Sequence, residues 1–435
     1  MAQNHATTIE QFLQSLIPAQ EVRLAARRVG CVQRQRKVDA YALLMAILLG
    51  VSTRGRQSLA EMRRALGVHA GISLVRSAFW ERFTPGLERL VTWVLDRLVT
   101  LARERTIEYR GILESFRDVV AVDATVVKVH DDLARRWRGT RHNSRPAAIQ
   151  VHTWVRVLTG ELLRYQITAE TYGDNKALRL LPSARDVLFL FDRGYSSPSL
   201  WWRIHRLGGY FLTRLPEGYD PVLIAEHRRH RGRRRRLVGQ TWKTAQRRLH
   251  RQVVDVEANF KVHVRAYRTR TGRNQDQSFR LVALRDPRTH RYVSFVTNVP
   301  TERLPAQSVR PLYRLRWEAE TFYRLAKSGS GLHELPSSRP HTVRTLIKAS
   351  LIRVSLAMQS RTQAQRYVPV DRWINPQQWI QVWRRIFGDL LEDLSAELRG
   401  LDVPMWNRLA QLAMDPHEQR IPLRQQFAAG SICLE

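Results

Sequence analysis

The chain has 435 residues, 43% of them hydrophobic, with 72 Lys and Arg against 39 Asp and Glu and a formal net charge of +33. This composition excludes a disordered chain and points to a polyanionic partner, nucleic acid first, because the charge is spread along the sequence and not gathered into one membrane-seeking segment. Cys31 and Cys433 form neither a disulfide framework nor a zinc spacing. The most apolar run, residues 40–51, falls short of the roughly 20 residues that cross a bilayer. With no basic stretch leading into an apolar signal segment, a cytoplasmic, membrane-free location is expected.

Residues 1–110 read as a helical DNA-binding domain. Residues 40–51 predict a buried helix. Ser58 followed by Glu61 starts a helix that Gly67 should end, and ISLVRSAFWERF predicts a second helix after a short connection. This pair resembles a helix-turn-helix, although any helical bundle contains such pairs. Thr84 and Pro85 then start a long amphipathic helix burying Leu87, Leu90, Val91, Val94, Leu98 and Leu101.

From residue 118 the pattern changes. DVVAVDATVVKV is β-branched and apolar on both faces, as in a strand covered on both sides, with Asp123 in its middle. A carboxylate there is either functional or held by backbone N–H groups. AIQVHTWVRVLT and ELLRYQIT follow as an antiparallel hairpin. VLFLFDRGYS is a buried strand with Asp192 at its carboxyl end, where α/β sheets place ligand sites and where an Asp can equally be a helix cap. Residues 211–300 read as a mostly β insertion. Within it, the charged run at 227–236 is either a solvated loop or a phosphate-gripping arm.

The segment 311–331 predicts one helix with two stripes. Leu312, Leu315, Ala319, Phe322 and Ala326 face a core. Tyr313, Arg316, Glu320 and Lys327 share an arc of roughly 60°, whereas Glu318 sits about 140° around from Tyr313. A solvated face carrying an Arg316–Glu320 pair accounts for the same stripe. Beyond it, 346–435 read as a helical C-terminal region whose Trp373, Trp379 and Trp383 suit a core or a subunit contact.

Asp123, Asp192 and Glu320 are oxygen-only ligands that suit Mg²⁺ or Mn²⁺. Two such ions about 4 Å apart can activate the attacking oxygen and stabilise the leaving oxygen of a displacement at phosphorus. The spacing Y-x2-R-x3-E-x6-K, met without a gap by Tyr313, Arg316, Glu320 and Lys327, resembles the signature of bacterial insertion-sequence DDE transposases. VAVDAT around Asp123, FDRGYS around Asp192 and FVTNVP at 295–300 resemble that family's other motifs in the right order.

The resemblance implies an α/β fold: a ribonuclease H-like mixed sheet flanked by helices, with an all-β insertion between a helical N-terminal domain and a helical C-terminal region. The catalytic core would occupy 111–210 and 301–345. It further implies that Asp123, Asp192 and Glu320 hold two metal ions and that Tyr313, Arg316 and Lys327 grip DNA phosphates. Arg193, in the turn after Asp192, is a further DNA-contact candidate. Trp242, as the sole Trp of the insertion, is the candidate for a base-holding residue and equally reads as a core residue. The implied partners are the double-stranded ends of a transposable element and target DNA, bound by a homodimer. A non-catalytic, domesticated DNA-binding protein and a ribonuclease H-like nuclease without strand transfer remain open as alternatives.

Overall fold

The computed structural model describes residues 9–383 apart from 34–37, 51–56, 142–143, 173–183, 228–236, 266–271, 334, 336 and 370–371. The basic run therefore lies outside the described residues except for its first residue, His227, which pairs with Glu257.

Among the described residues the chain opens with helices α1 Ile9–Leu16, α2 Ala19–Arg28, α3 Ala40–Leu49, α4 Leu59–Ala70, α5 Arg76–Trp80 and α6 Pro85–Glu104. Asp39, Ser58 and Thr84 cap α3, α4 and α6 by accepting the N–H of Ala42, Glu61 and Leu87. The expected face of α6 is buried, except that Leu101 is only partly covered. Two expectations need correction. Helix α4 runs through Gly67 and stops at Gly71, whose φ of +64° supplies the left-handed cap that ends a helix. The second element of the helix-turn-helix reading is only five residues long, because the chain enters it extended through Val75. Five residues rise about 7.5 Å, too little for a recognition helix lying along a groove.

Ten strands follow among the described residues: β1 Asp118–Lys128, β2 Arg138–Arg141, β3 Arg145–Arg156, β4 Leu162–Ala169, β5 Val187–Phe191, β6 Tyr210–Arg214, β7 Val222–Glu226, β8 Val253–Arg265, β9 Gly272–Arg285 and β10 Tyr292–Thr297. They form one mixed sheet in the order β2-β3-β1-β5-β6-β10-β9-β8-β7, with β4 paired to β3. β1, β5 and β6 are parallel neighbours, and β3 runs antiparallel to β1. The strands read as an insertion therefore continue this sheet.

Alternation along the strands decides what faces what. On β1, Val120 and Val122 pack with α7 (Pro198–Arg206), whereas Val119 and Ala121 pack with the helices after β10. Leu188 and Leu190 of β5 share that second face. By the same period of two, Asp123 and Asp192 point to the side on which the later helices lie.

Those helices depart from one continuous rod. They are α9 Val309–Arg314, α10 Trp317–Arg324 and a π-helical turn, Leu325–Gly329, before α11 Pro340–Ala364. The joint between α9 and α10 is tightened by three-residue hydrogen bonds, Arg316 N–H to Tyr313 C=O at 3.0 Å and Ala319 N–H to Arg316 C=O at 3.1 Å. The apolar stripe survives the joint: Leu312, Leu315, Ala319, Phe322 and Ala326 are all buried.

Helix α11 is buried along most of its length and ties the molecule together. Arg344 and Lys348 reach Glu88 of α6 at 2.6 and 3.0 Å, and Arg353 donates to Ser330 C=O, at the exit of the π turn, at 2.6 Å. Gln57 holds Gly331 C=O from the N-terminal side at 2.8 Å. Trp379 and Trp383 are core residues, the Trp379 indole N–H donating to Ala357 C=O at 2.7 Å.

Candidate active site

Val122 of β1 lies opposite Phe191 of β5. The next residues on these parallel neighbours are Asp123 and Asp192, so adjacent strands, spaced about 4.8 Å, deliver two carboxyl groups to one place. Asp192 precedes a 3₁₀ turn without capping it, and Ser197 caps α7 instead. Its carboxylate is therefore not consumed as a helix cap. Among the described residues' backbone groups, Asp123 Oδ1 accepts from its neighbour Ala124 N–H, at 2.8 Å.

Helix α10 brings Glu320 to this spot. Arg316, at the joint, donates to Glu320 Oε1 at 2.6 Å and lies 3.7 Å from Asp123 Oδ2. Its guanidinium sits 5.9 Å from the Tyr313 ring and 5.6 Å from the Trp317 ring. Burial pushes the Asp123 carboxyl up to about 6, and the charges of Asp192 and Glu320 add to the rise against the opposing Ala124 N–H and Arg316. Burial lowers the Lys327 ammonium, opposed by the charge of Asp123. Tyr313 is pushed up to about 12, mainly by burial.

All four residues of the polar stripe thus gather near the acids, but not in the expected posture. Arg316 bridges two carboxylates, and Tyr313 is buried against Phe295 with ring centroids 5.2 Å apart. The reason is local. The tight joint over-rotates the chain between Tyr313 and Glu320, and the π turn under-rotates it before Lys327. The Tyr313 hydroxyl and Arg316 Nε are buried without a well-formed hydrogen bond.

The donor set fits a hard divalent cation: three carboxylates, one of them made costly by burial beside the other two. Among the described residues no three such side chains are already spaced to hold one ion; Arg316 supplies the positive charge between Asp123 and Glu320.

The family model described as Transposase DDE domain matches residues 114–354, more than half of the chain and inclusive of all three acids. The chain belongs to the DDE transposase family. A transposase for insertion sequence element IS231E from Bacillus thuringiensis subsp. finitimus is 22% identical over 380 residues, covering 80% of this chain and 78% of that one. A piggyBac transposase synaptic complex with hairpin DNA, solved by cryo-EM, aligns over 95% of this chain and 87% of its own with 9% identity and a TM-score of 0.45.

Within the DDE domain the two remaining candidates are less central. Arg193 is 39% exposed and pairs with Glu217 at 2.9 Å. Trp242 begins a short helix, α8 Trp242–Gln246, and is 2% exposed, packed edge-on against Tyr292. Its ring has no free face for a base, so the base-holding reading of Trp242 is replaced by the core reading. Sequence reasoning missed two residues. Trp317 is 54% exposed beside Arg316, an unusual place for a large apolar side chain. Tyr323, three residues after Glu320, was hidden by its place next to the apolar stripe.

Asp123 carries a stability cost of definite sign. Its carboxyl protonates near 6 when folded against 3.8 ordinarily, so the native state is penalised by ionisation. The penalty is absent below about pH 4 and complete above about pH 6. Asp123→Asn is expected to stabilise the metal-free chain by about 2 to 3 kcal/mol at pH 8, the gain vanishing toward pH 4. Urea unfolding at both pH values measures it, and a loss of stability at pH 8 contradicts this view of the site.

Proposed function

We propose that this chain is a DNA transposase that binds the terminal inverted repeats of its own element, hydrolyses a phosphodiester to free a 3′-OH and joins that end to target DNA. The observation that carries the reading is the delivery of Asp123 and Asp192 from neighbouring parallel strands to the face on which α10 presents Glu320. A ribonuclease H-like core is supported by the antiparallel β4-β3-β1 meander continued by parallel β5 and β6.

Asp123, Asp192 and Glu320 would hold Mg²⁺ or Mn²⁺, two ions in all. When bound, such ions supply charge stabilisation at a phosphoryl oxygen and an activated attacking oxygen. The protein's own groups do the rest. Arg316, whose Nε lacks a partner, and the buried Tyr313 hydroxyl are donors suited to phosphate oxygens. Lys327 adds a point charge, and Trp317 an exposed ring beside them. In this arrangement Arg316 neutralises the acids in the absence of DNA and turns to phosphate when DNA and metal arrive. Arg193, partly exposed in the turn after Asp192, is a further DNA contact.

A wider DNA surface is supported by a groove of about 860 Å³ between the N-terminal helices and the entry to α11. Arg76 and Arg339 face it together with Trp80 and Ser338, and among the described residues no carboxylate lines it. Duplex DNA is the partner such a basic groove suits, with a homodimer bridging two ends in the cytoplasm. No described helix is long and apolar enough to cross a membrane.

The non-catalytic alternative leaves the cost of ionising Asp123 without a purpose. Strand transfer separates the remaining readings. Incubating the protein with Mg²⁺, a labelled DNA fragment ending in the inverted repeat that flanks the gene, and a plasmid target is expected to yield covalently joined product. Nicking of the fragment without joined product identifies a nuclease instead.

A further inference from the structure

The hydroxyl of Tyr323 stands where three elements meet. It lies 2.9 Å from Asp123 C=O on β1 and 2.7 Å from Val151 C=O on β3, and it accepts the Thr153 hydroxyl at 2.8 Å. A phenol has one proton, so the two carbonyls share it while Thr153 fills an acceptor site. Tyr323 is buried on α10, one turn beyond Glu320, and residues three apart lie on the same side of a helix. Thr153 is the residue directly opposite Asp123 across the β1–β3 ladder. A further polar tie, from Arg316 to the Asp123 side chain at 3.7 Å, is longer and acts on the side chain and not on the backbone, while the buried Ala319 and Phe322 hold distance without fixing rotation or slide.

We propose that Tyr323 is a positioning residue that fixes the separation of Asp123 and Glu320 by clamping the turn that carries Glu320 to the backbone of Asp123. The proposal rests on the reading of these acids as metal ligands. A carboxylate pair that must share hard cations tolerates little drift, because hexacoordinate Mg²⁺ demands near-ideal geometry. Groups that orient metal ligands from behind commonly account for about 10- to 100-fold in metal affinity.

The test uses the full chain bound to an element end. Tyr323→Phe keeps the ring and removes the clamp. It is expected to raise the Mg²⁺ concentration that half-saturates nicking by about 10-fold or more, while the rate at saturating Mg²⁺ stays within about threefold of wild type. Mn²⁺ binding to the same complex, read by electron paramagnetic resonance, should weaken by a similar factor. Thr153→Val, which removes only the donor to the phenol, should shift both curves in the same direction by less. An unchanged Mg²⁺ curve, or a lost plateau with no shift in Mn²⁺ affinity, overturns the proposal and assigns Tyr323 to packing alone. Because Mn²⁺ binding is read without cleavage, failure of the transposase reading shows separately, as absence of nicking by the wild-type chain.

Discussion

Glu320→Gln is expected to slow Mg²⁺-dependent cleavage of an element end by on the order of 10² to 10³-fold, whereas Glu318→Gln stays within about threefold of wild type. Two glutamates two residues apart on one helix differ this much because a helix turns about 200° over that interval. Glu320 faces Arg316 and contributes its charge at Asp123, while Glu318 does not figure among the groups that shift the Asp123 carboxyl. The Gln amide keeps the size of Glu320 and its bond to Arg316 but loses the charge that a hard cation needs. Thermal unfolding of both variants separates this from misfolding, since a partly exposed single charge contributes little to stability. Equal loss of cleavage in both variants means that the register of α10 has been misread.

Much of this site is legible in the sequence, for a physical reason. Periodicity of two carries Asp123 and Asp192 to one face because Val119, Ala121, Leu188 and Leu190 define that face by burial. Periodicity of 3.6 carries the buried stripe of α9 and α10 because apolar burial averages over small changes of pitch. Directional contacts do not average in this way. The tight joint at Arg316 and the π turn at Leu325–Gly329 each alter the rotation per residue, and a fixed 100° step cannot report that Arg316 turns inward to the acids. Short-range signals failed where two residues compete for one role. Gly67 and Gly71 can each end α4, and the left-handed φ is taken up at Gly71. Trp242 was singled out by scarcity within its segment, a property unrelated to whether its ring is covered. The Tyr323 clamp needs three elements brought together, from residues 123, 151 to 153 and 323, and no local pattern encodes such a meeting.

The Asp123 carboxyl, the Arg316 bridge and the buried Tyr313 hydroxyl share one feature. Each is unfavourable or incomplete in the isolated chain and would be completed by a cation and a phosphate. Their meeting at the three acids suits a ligand site better than a salt-bridged surface, where exposed pairs are worth about 0 to 1 kcal/mol.

In a transposase of this design the acids cut DNA while the rest of the surface holds it, so the two activities should separate. Asp192 offers the cleanest variant, because its carboxylate makes no cap bond whose loss would unfold the turn after β5. End binding by gel shift and Mg²⁺-dependent nicking should be measured side by side for wild type and Asp192→Ala. The expected result is undiminished binding with nicking lost by on the order of 10³-fold or more. Nicking that survives at the wild-type rate would contradict the assignment of Asp192, and with it the three-acid site.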